Sequence, residues 1–184
     1  MGQVMNSDNN KHDFDKLKRW HESLLDVGHI KFNYCAVFIV REFDKVAQDI
    51  FRGYRESFES NGATFANLVI FGQHGFSETA GAILRTFDLE SVSLPSYVVI
   101  DISNPAEAYQ VALPSGDNEQ SELVCLADQV LSVIEGSVNS GRSFDGLSDI
   151  SEVRRLEIGI TSFPRAIWDI IASLSIQTIY PGQN

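Results

Sequence analysis

The stretch Ser93-Leu94-Pro95-Ser96 stands directly before the apolar run Tyr97-Val98-Val99-Ile100. Proline is tolerated at the first residue of a sheet strand, and X-Pro bonds are the peptide bonds that adopt the cis form in folded proteins. This placement predicts a buried strand at 97–102 that begins at a proline loop.

The elements around this strand alternate in type. An amphipathic helix is predicted up to Gly28, continuous apolar strands at 34–40 and 66–71, and helices at 43–60 and from Ser77 to Leu89. Two buried strands joined by a long amphipathic helix should be parallel, with a right-handed crossover. The turn at Asn104-Pro105 predicts a fourth strand at 108–113 in hairpin relation to the third, followed by a helix that ends near Gly136.

The remaining segments predict the domain organisation. Residues 1–11 are polar and are expected to form a mobile tail, and 12–136 are expected to form one domain that includes the N-terminal helix. The Gly/Ser-rich passage at 137–146 is interpreted as a linker. Residues 147–184 are interpreted as a helical extension, with one helix around 151–158 and a second from Pro164 onward.

Charge and hydropathy narrow the class of partner. The chain has 25 acidic and 14 basic residues, a formal charge of −11, so a phosphate backbone would be repelled and no nucleic-acid partner is expected. We interpret the acidic surplus as a solvated face, with a docking surface for a basic partner as the alternative. No run of about 18 apolar residues occurs and no apolar signal core opens the chain, which predicts a soluble cytoplasmic protein with no membrane partner, unless the sequence is a piece of a secreted one.

Sites for metals and small cofactors have little support in the sequence. Cys35 and Cys125 lie among apolar neighbours and are predicted to be core residues rather than a disulfide pair. The histidines have no metal-ligand spacing, so neither a metal nor a cofactor is expected: His12, His21, His29, His74. The loop 72–77 follows a strand and opens a helix; we favour a tight turn with a capping serine, and anion binding is the alternative.

From residue 34 to 136 the order strand-helix-strand-helix-proline-strand-strand-helix resembles the thioredoxin fold. The predicted fold class is therefore α/β, a thioredoxin-like mixed sheet (β-α-β-α-β-β-α) with an N-terminal helix and a C-terminal helical extension. More narrowly, the segment 84–97, Ala108-Tyr109 and the helix end Val133-Ile134-Glu135-Gly136 resemble the non-catalytic thioredoxin-like domains of protein disulfide isomerases. Redox-active members carry two cysteines after the first strand, and 41–45 contains none, so disulfide exchange is not expected.

The resemblance implies a binding surface, because in such domains the loop after the first strand lies beside the proline loop and binds polypeptides. The matching positions here are Arg41, Glu42, Phe43, Asp44, Leu94, Pro95 and Ser96. A simpler interpretation stays open, in which the charged residues only cap and solubilise a helix start and Phe43 is a core residue.

The functional expectation is a redox-inactive module for protein binding or assembly, chaperone- or adaptor-like, with a protein or peptide partner and without catalytic residues. One alternative is an enzyme that uses glutathione or another thiol cofactor at the proline loop. Another is a nucleotide-binding α/β domain with its site at 72–77, which would require all strands to be parallel.

The last segment is too apolar to be left in water as an isolated helix. The residues concerned are Phe163, Ile167, Trp168, Ile171 and Leu174. They are expected to pack on the chain's own sheet or, alternatively, to form a homodimer contact or fill a partner groove, with Trp168 as the anchor.

Overall fold

Helices and strands alternate along most of the chain. The computed structural model describes residues 7–26, 28, 30, 32–89, 94–113, 120–141 and 144–179. Parts of four expectations therefore lie outside the described residues: 1–6 of the tail, 27, 29, 31, 90–93 and 114–119 of the 12–136 domain, 142–143 of the linker and 180–184 of the extension. The elements are α1 Ser7–Leu25, β1 Tyr34–Ile39, α2 Lys45–Ser60, β2 Leu68–Phe71, α3 Glu78–Thr86, β3 Ser96–Asp101, β4 Glu107–Ala112, α4 Gln120–Ser140, β5 Val153–Glu157 and α5 Phe163–Ile179. Short 3-10 helices occupy Phe65–Asn67 and Phe144–Asp149.

The strands form one five-stranded mixed sheet in the order β2-β1-β3-β4-β5. Strands β1 and β2 are parallel, as the amphipathic crossover helix α2 predicts. Strand β3 runs antiparallel to both β1 and β4, so the predicted hairpin between the third and fourth strands is confirmed. The protein is therefore of the α/β class, with a sheet that is not all parallel.

Strand β1 is covered on both faces. Its six residues are all buried, as a continuous apolar run predicts. Alternate side chains enter two separate cores: Ala36 and Phe38 pack on the side of α2 and α4, and Val37 and Ile39 pack on the side of α1, α3 and α5. Helices consequently cover both faces of the sheet around this strand.

The C-terminal helix α5 is part of the second core. Phe163 is fully buried, with its ring 5.4 Å from that of Trp20 in α1 and 6.0 Å from that of Phe87 after α3. Ile167, Ile171 and Leu174 are buried on the same side. Four of the five residues considered for an interface thus pack on the chain's own sheet, which was the simpler expectation. Trp168 alone among the five is exposed, at 49%.

The helix predicted around 151–158 is wrong, because this segment contains strand β5. Val153 packs in the first core and Leu156 in the second, so these two side chains point to opposite faces of the sheet. Arginine, leucine and glutamate favour helix locally, but pairing with the edge of β4 overrides that preference. Arg155 also forms an ion pair with Glu107 across the two strands. The C-terminal extension therefore is not purely helical and completes the sheet.

Two predicted boundaries also differ from the structure. Helix α1 already begins at Ser7, so 7–11 is not a tail; Asn10 Oδ1 accepts a hydrogen bond from the Glu78 amide at 3.0 Å, a long-range contact that the local sequence does not contain. Helix α4 continues through Gly136 to Ser140 and so through the first part of the predicted linker. It continues because Val138 packs on the first core, which offsets the weak helix propensity of glycine and serine.

In the part of the chain that the structure describes, none of the helices has both the length and the apolar composition needed to cross a bilayer.

Phe163→Ala should lower the free energy of unfolding by about 3 to 5 kcal/mol, because it leaves a cavity between Trp20 and Phe87. The matched variant Trp168→Ala removes a half-exposed ring of the same helix and should cost less than about 1 kcal/mol. Urea unfolding of both variants provides the measurement. Equal losses would mean that α5 does not pack through Phe163.

Candidate functional site

The loop after β1 and the proline loop lie in direct contact. The Arg41 guanidinium donates a hydrogen bond to the Leu94 carbonyl at 2.8 Å. The Leu94–Pro95 peptide that follows is cis. The structure therefore brings together the two segments that the resemblance implied would lie side by side.

A buried carboxylate fixes the geometry of the first loop. Asp44 Oδ2 accepts hydrogen bonds from the Arg41 backbone amide at 2.8 Å and from Arg41 Nε at 3.0 Å. The Asp44 side chain is only 2% exposed. Although Asp44 stands at the N-cap of α2, its side chain makes no capping bond to the helix and turns back to the loop. Its role is therefore to hold Arg41, which differs from the simple capping interpretation.

Phe43 projects into solvent from this loop. Its side chain is 64% exposed, the largest exposure among the large apolar residues that the structure describes. The Arg41 guanidinium carbon lies 4.6 Å from the centre of its ring, which is cation–π distance. The alternative that Phe43 is the first core residue of its helix is therefore wrong. Its neighbour Glu42 is exposed as well.

The proline loop offers less surface than the resemblance implies. Leu94 is half-buried and Pro95 is buried. Ser96 is fully buried within the sheet, opposite Ile39 on one side and Ala112 on the other. Ser96 is thus a buried strand residue and not a surface contact. The accessible residues of the predicted set are Arg41, Glu42, Phe43 and Leu94; we call these four residues the loop surface.

The two thiols lie on different sides of the sheet. Cys35 is completely buried in the core shared by α1, α3 and α5, and burial raises the pKa of its thiol. Cys125 is exposed on α4, which covers the other face, so the prediction that Cys125 is a core residue is wrong. A protonated buried thiol and a distant exposed one do not form a dithiol site.

The loop 72–77 is covered by a carboxylate from α1. Asp13 is 2% exposed, and its Oδ2 accepts a hydrogen bond from the Gly72 amide at 3.0 Å and another from the Ser77 hydroxyl. Ser77 in turn accepts a bond from the Ala80 amide at 3.1 Å, which confirms the predicted capping serine. Since a carboxylate already occupies the amide that a phosphate would need, this loop does not suit a nucleotide. The antiparallel β3 and β4 also contradict the all-parallel sheet that this alternative required.

Metal ligands do not gather anywhere in the described residues, where no three His, Cys, Asp or Glu side chains could share an ion. The rings of His12 and His74 do meet, edge to face at 4.6 Å. Burial is the first cause that lowers the pKa of His12, and the charge of Lys16 lowers it further. This pairing has no signal in the sequence, because the two residues belong to distant elements.

A groove lies along the free edge of β2, between α1 and α2. It has a volume of about 410 Å³, and we call it the edge groove. Its basic residues are Lys16 and Arg19 on α1 and Arg55 on α2. The three-residue spacing of Lys16 and Arg19 could have predicted one basic helix face, but only the tertiary fold brings Arg55 to it.

Asp44→Ala should destabilise the protein by about 1 to 3 kcal/mol, because it removes an acceptor from both the amide and the guanidinium of Arg41. Asp49→Ala is the matched control on α2: this exposed carboxylate pairs with Arg52, and its loss should cost about 0.5 kcal/mol or less. Thermal unfolding of both variants measures the difference. An Asp44 variant as stable as the control would contradict the anchoring role.

Native protein should react with a thiol-specific reagent at Cys125 alone, because burial keeps the Cys35 thiol protonated and covered. Raising the pH to about 9, above the ordinary thiol pKa of about 8.5, should not add a label at Cys35, because burial raises the pKa of that thiol. Mass spectrometry before and after unfolding counts the labels. The variant Cys125→Ser should take up no label until it unfolds.

Comparison with known proteins adds no family to this geometry. No protein-family model matches the chain, and no curated protein matches it significantly. The case for a function therefore depends on the loop surface and the edge groove themselves.

Proposed function

We propose that this protein is a redox-inactive, thioredoxin-like module that binds a polypeptide through the loop surface, with Phe43 as its anchor. In this role it acts in assembly or as an adaptor and not as an enzyme. The observation that carries the proposal is the exposure of the Phe43 ring on a loop that is anchored by the ion pair of Arg41 with the buried Asp44.

The sheet supports the thioredoxin-like description. Strands β2-β1-β3-β4 follow one another across the sheet, with β1 and β2 parallel, β3 antiparallel to β1 and β4 antiparallel to β3, and a cis proline precedes β3. The resemblance described above rests on the order of strands, helices and proline along the chain, and these elements follow that order. Strand β5 and helices α1 and α5 add to that arrangement at its margins.

The energetics of the loop favour binding over a purely structural role. An exposed phenylalanine ring remains in contact with water and gains hydrophobic free energy only when a partner covers it. Aromatic residues buried in this way are frequent anchors of protein interfaces. The loop is preorganised, since Arg41 is bonded both to Asp44 and to the Leu94 carbonyl. Preorganisation lowers the conformational entropy that binding would otherwise cost.

The charge of the surroundings indicates the partner. The guanidinium of Arg41 is neutralised by Asp44, whereas the Glu42 carboxylate is exposed. The chain as a whole carries −11, so its field attracts a basic partner. The partner best suited to the loop surface is a polypeptide segment that presents an apolar side chain next to lysine or arginine.

Phe43→Ala should weaken binding of such segments at least about tenfold, the loss of roughly 1.4 kcal/mol of contact. The measurement is fluorescence anisotropy with a panel of labelled peptides that carry one aromatic residue flanked by basic residues, followed by amide chemical-shift mapping of the tightest binder. Leu25→Ala is the control, because Leu25 is 57% exposed at the far end of α1 from the loop.

Two outcomes would contradict the proposal. One is equal binding by the Phe43 and Leu25 variants with shifts outside 41–44 and 94. The other is saturable binding of glutathione to the same amides, which would favour the thiol-cofactor alternative. Melting curves of both variants should match the parent, since neither side chain is in the core.

A further inference from the structure

The edge groove is lined by more basic than acidic side chains, although the chain as a whole is acidic. Its walls are α1 and α2, and its floor is β2, the edge strand of the sheet. Three basic side chains line it, Lys16, Arg19 and Arg55, against a single carboxylate among the lining residues, Glu59. The charge in the groove is therefore opposite in sign to the formal charge of −11 that the whole chain carries.

The lysine of the groove is already engaged. Lys16 Nζ donates to the Ile70 carbonyl at 2.6 Å and lies 3.7 Å from Asp13, with its side chain only 11% exposed. It covers the outward-facing carbonyl of the edge strand and so protects that edge from pairing with another chain. Lys16 therefore contributes a fixed positive field more than a free donor.

Aromatic rings hold the two arginines of the groove in place. The Arg19 guanidinium lies 4.4 Å from the centre of the Phe65 ring, and that of Arg55 lies 5.0 Å from the centre of the Phe51 ring. Neither guanidinium lies within 4.0 Å of a carboxylate in the described part of the chain. Stacking fixes the plane of a guanidinium and leaves its N–H edge free to bind an oxyanion with two parallel hydrogen bonds.

The charges are close enough to interact. Burial is the main cause that lowers the pKa of Lys16, and Asp13 opposes it. The positive charges of Arg19 and Arg55 lower that pKa further. Like charges gathered in this way repel one another, and an anion bound between them would relieve the repulsion.

The rest of the groove is mixed in polarity and of limited size, with Glu59, Thr64 and Gln73 among its lining residues. Phe58 and Leu68 line it together with the two stacking rings, and about 410 Å³ is within the range of small-molecule sites. Successive residues of the edge strand point their backbone amide and carbonyl groups alternately toward β1 and toward the free edge. Because the Ile70 carbonyl is at the free edge, where Lys16 binds it, the backbone amide and carbonyl of Leu68 also face the groove. A ligand that fills this space needs both an anionic group and an apolar body.

We propose that the edge groove binds a small organic anion, with a carboxylate or phosphate group held between Arg19 and Arg55 and an aromatic or aliphatic body against Phe58 and Leu68. This site lies on α1, α2 and β2 and shares no residue with the loop surface. The inference therefore does not rest on the polypeptide binding proposed above.

Phenyl phosphate and benzoate serve as probes of the two headgroups, and benzyl alcohol is the neutral probe. We expect at least one anionic probe to bind with a Kd of about 1 mM or tighter, and benzyl alcohol to bind at least about tenfold more weakly. Chemical shifts of the 64–70 amides and the fluorescence of Trp20, which donates to the Ala66 carbonyl, report binding. Added salt should weaken binding of the anions, because it screens the exposed guanidinium groups.

The double variant Arg19→Gln with Arg55→Gln should lose binding of the anionic probe by about tenfold or more. Arg52→Gln is the matched control, since Arg52 lies on the same helix, pairs with Asp49 and does not line the groove. If the double variant does not fold, each single variant replaces it, with a loss of about threefold or more expected.

Three results would overturn the proposal. The binding signal of neither anionic probe saturates, the arginine variants bind the anionic probe as tightly as the parent, or the Arg52 variant loses as much affinity as the arginine variants of the groove do.

Discussion

The two-sided burial of β1 is the constraint on which the rest of the structure depends. Because its six residues are all apolar and all covered, helices must lie on both faces of the sheet and β1 must have a strand on either side. The crossover through α2 then sets β2 parallel on one side, and β3 returns antiparallel on the other. The loop that leaves β1 consequently meets the loop that enters β3, which is why Arg41 can reach the Leu94 carbonyl.

Buried polar groups join the layers at points where apolar packing alone would not fix their relation. On one face, Tyr54 donates to the Ala127 carbonyl at 2.6 Å and contacts the Tyr97 hydroxyl at 2.6 Å, which connects α2, α4 and β3. On the other, Asp13 connects α1 to the start of α3. Such bonds add little net stability when made but cost much when left unmade, so they favour one arrangement over its neighbours.

The same connections separate the two candidate surfaces. Asp44 faces the loop after β1 and leaves Phe43 exposed. At the outer edge of β2, Asp13 and Lys16 cover the backbone. Arg19 and Arg55 remain beside the open groove. One surface therefore offers an apolar anchor in an acidic protein, and the other offers two guanidinium groups. These chemistries suit different ligands, a polypeptide for the first and a small anion for the second.

The sequence by itself determined the elements that depend on short-range pattern: the continuous burial of β1, the amphipathic α2 between parallel strands, the hairpin of β3 and β4, and the cap at Ser77. It could not determine β5, because the helix propensity of 153–157 loses only to pairing with a strand more than forty residues away. Nor could it decide between exposure and burial for Phe43, Ser96 and α5, since the same apolar or small residue suits either until its neighbours in space are known. Tertiary structure decided these points because burial and charge clustering depend on residues that are distant in the chain, as Arg55 is from Lys16 and Arg19 in the edge groove.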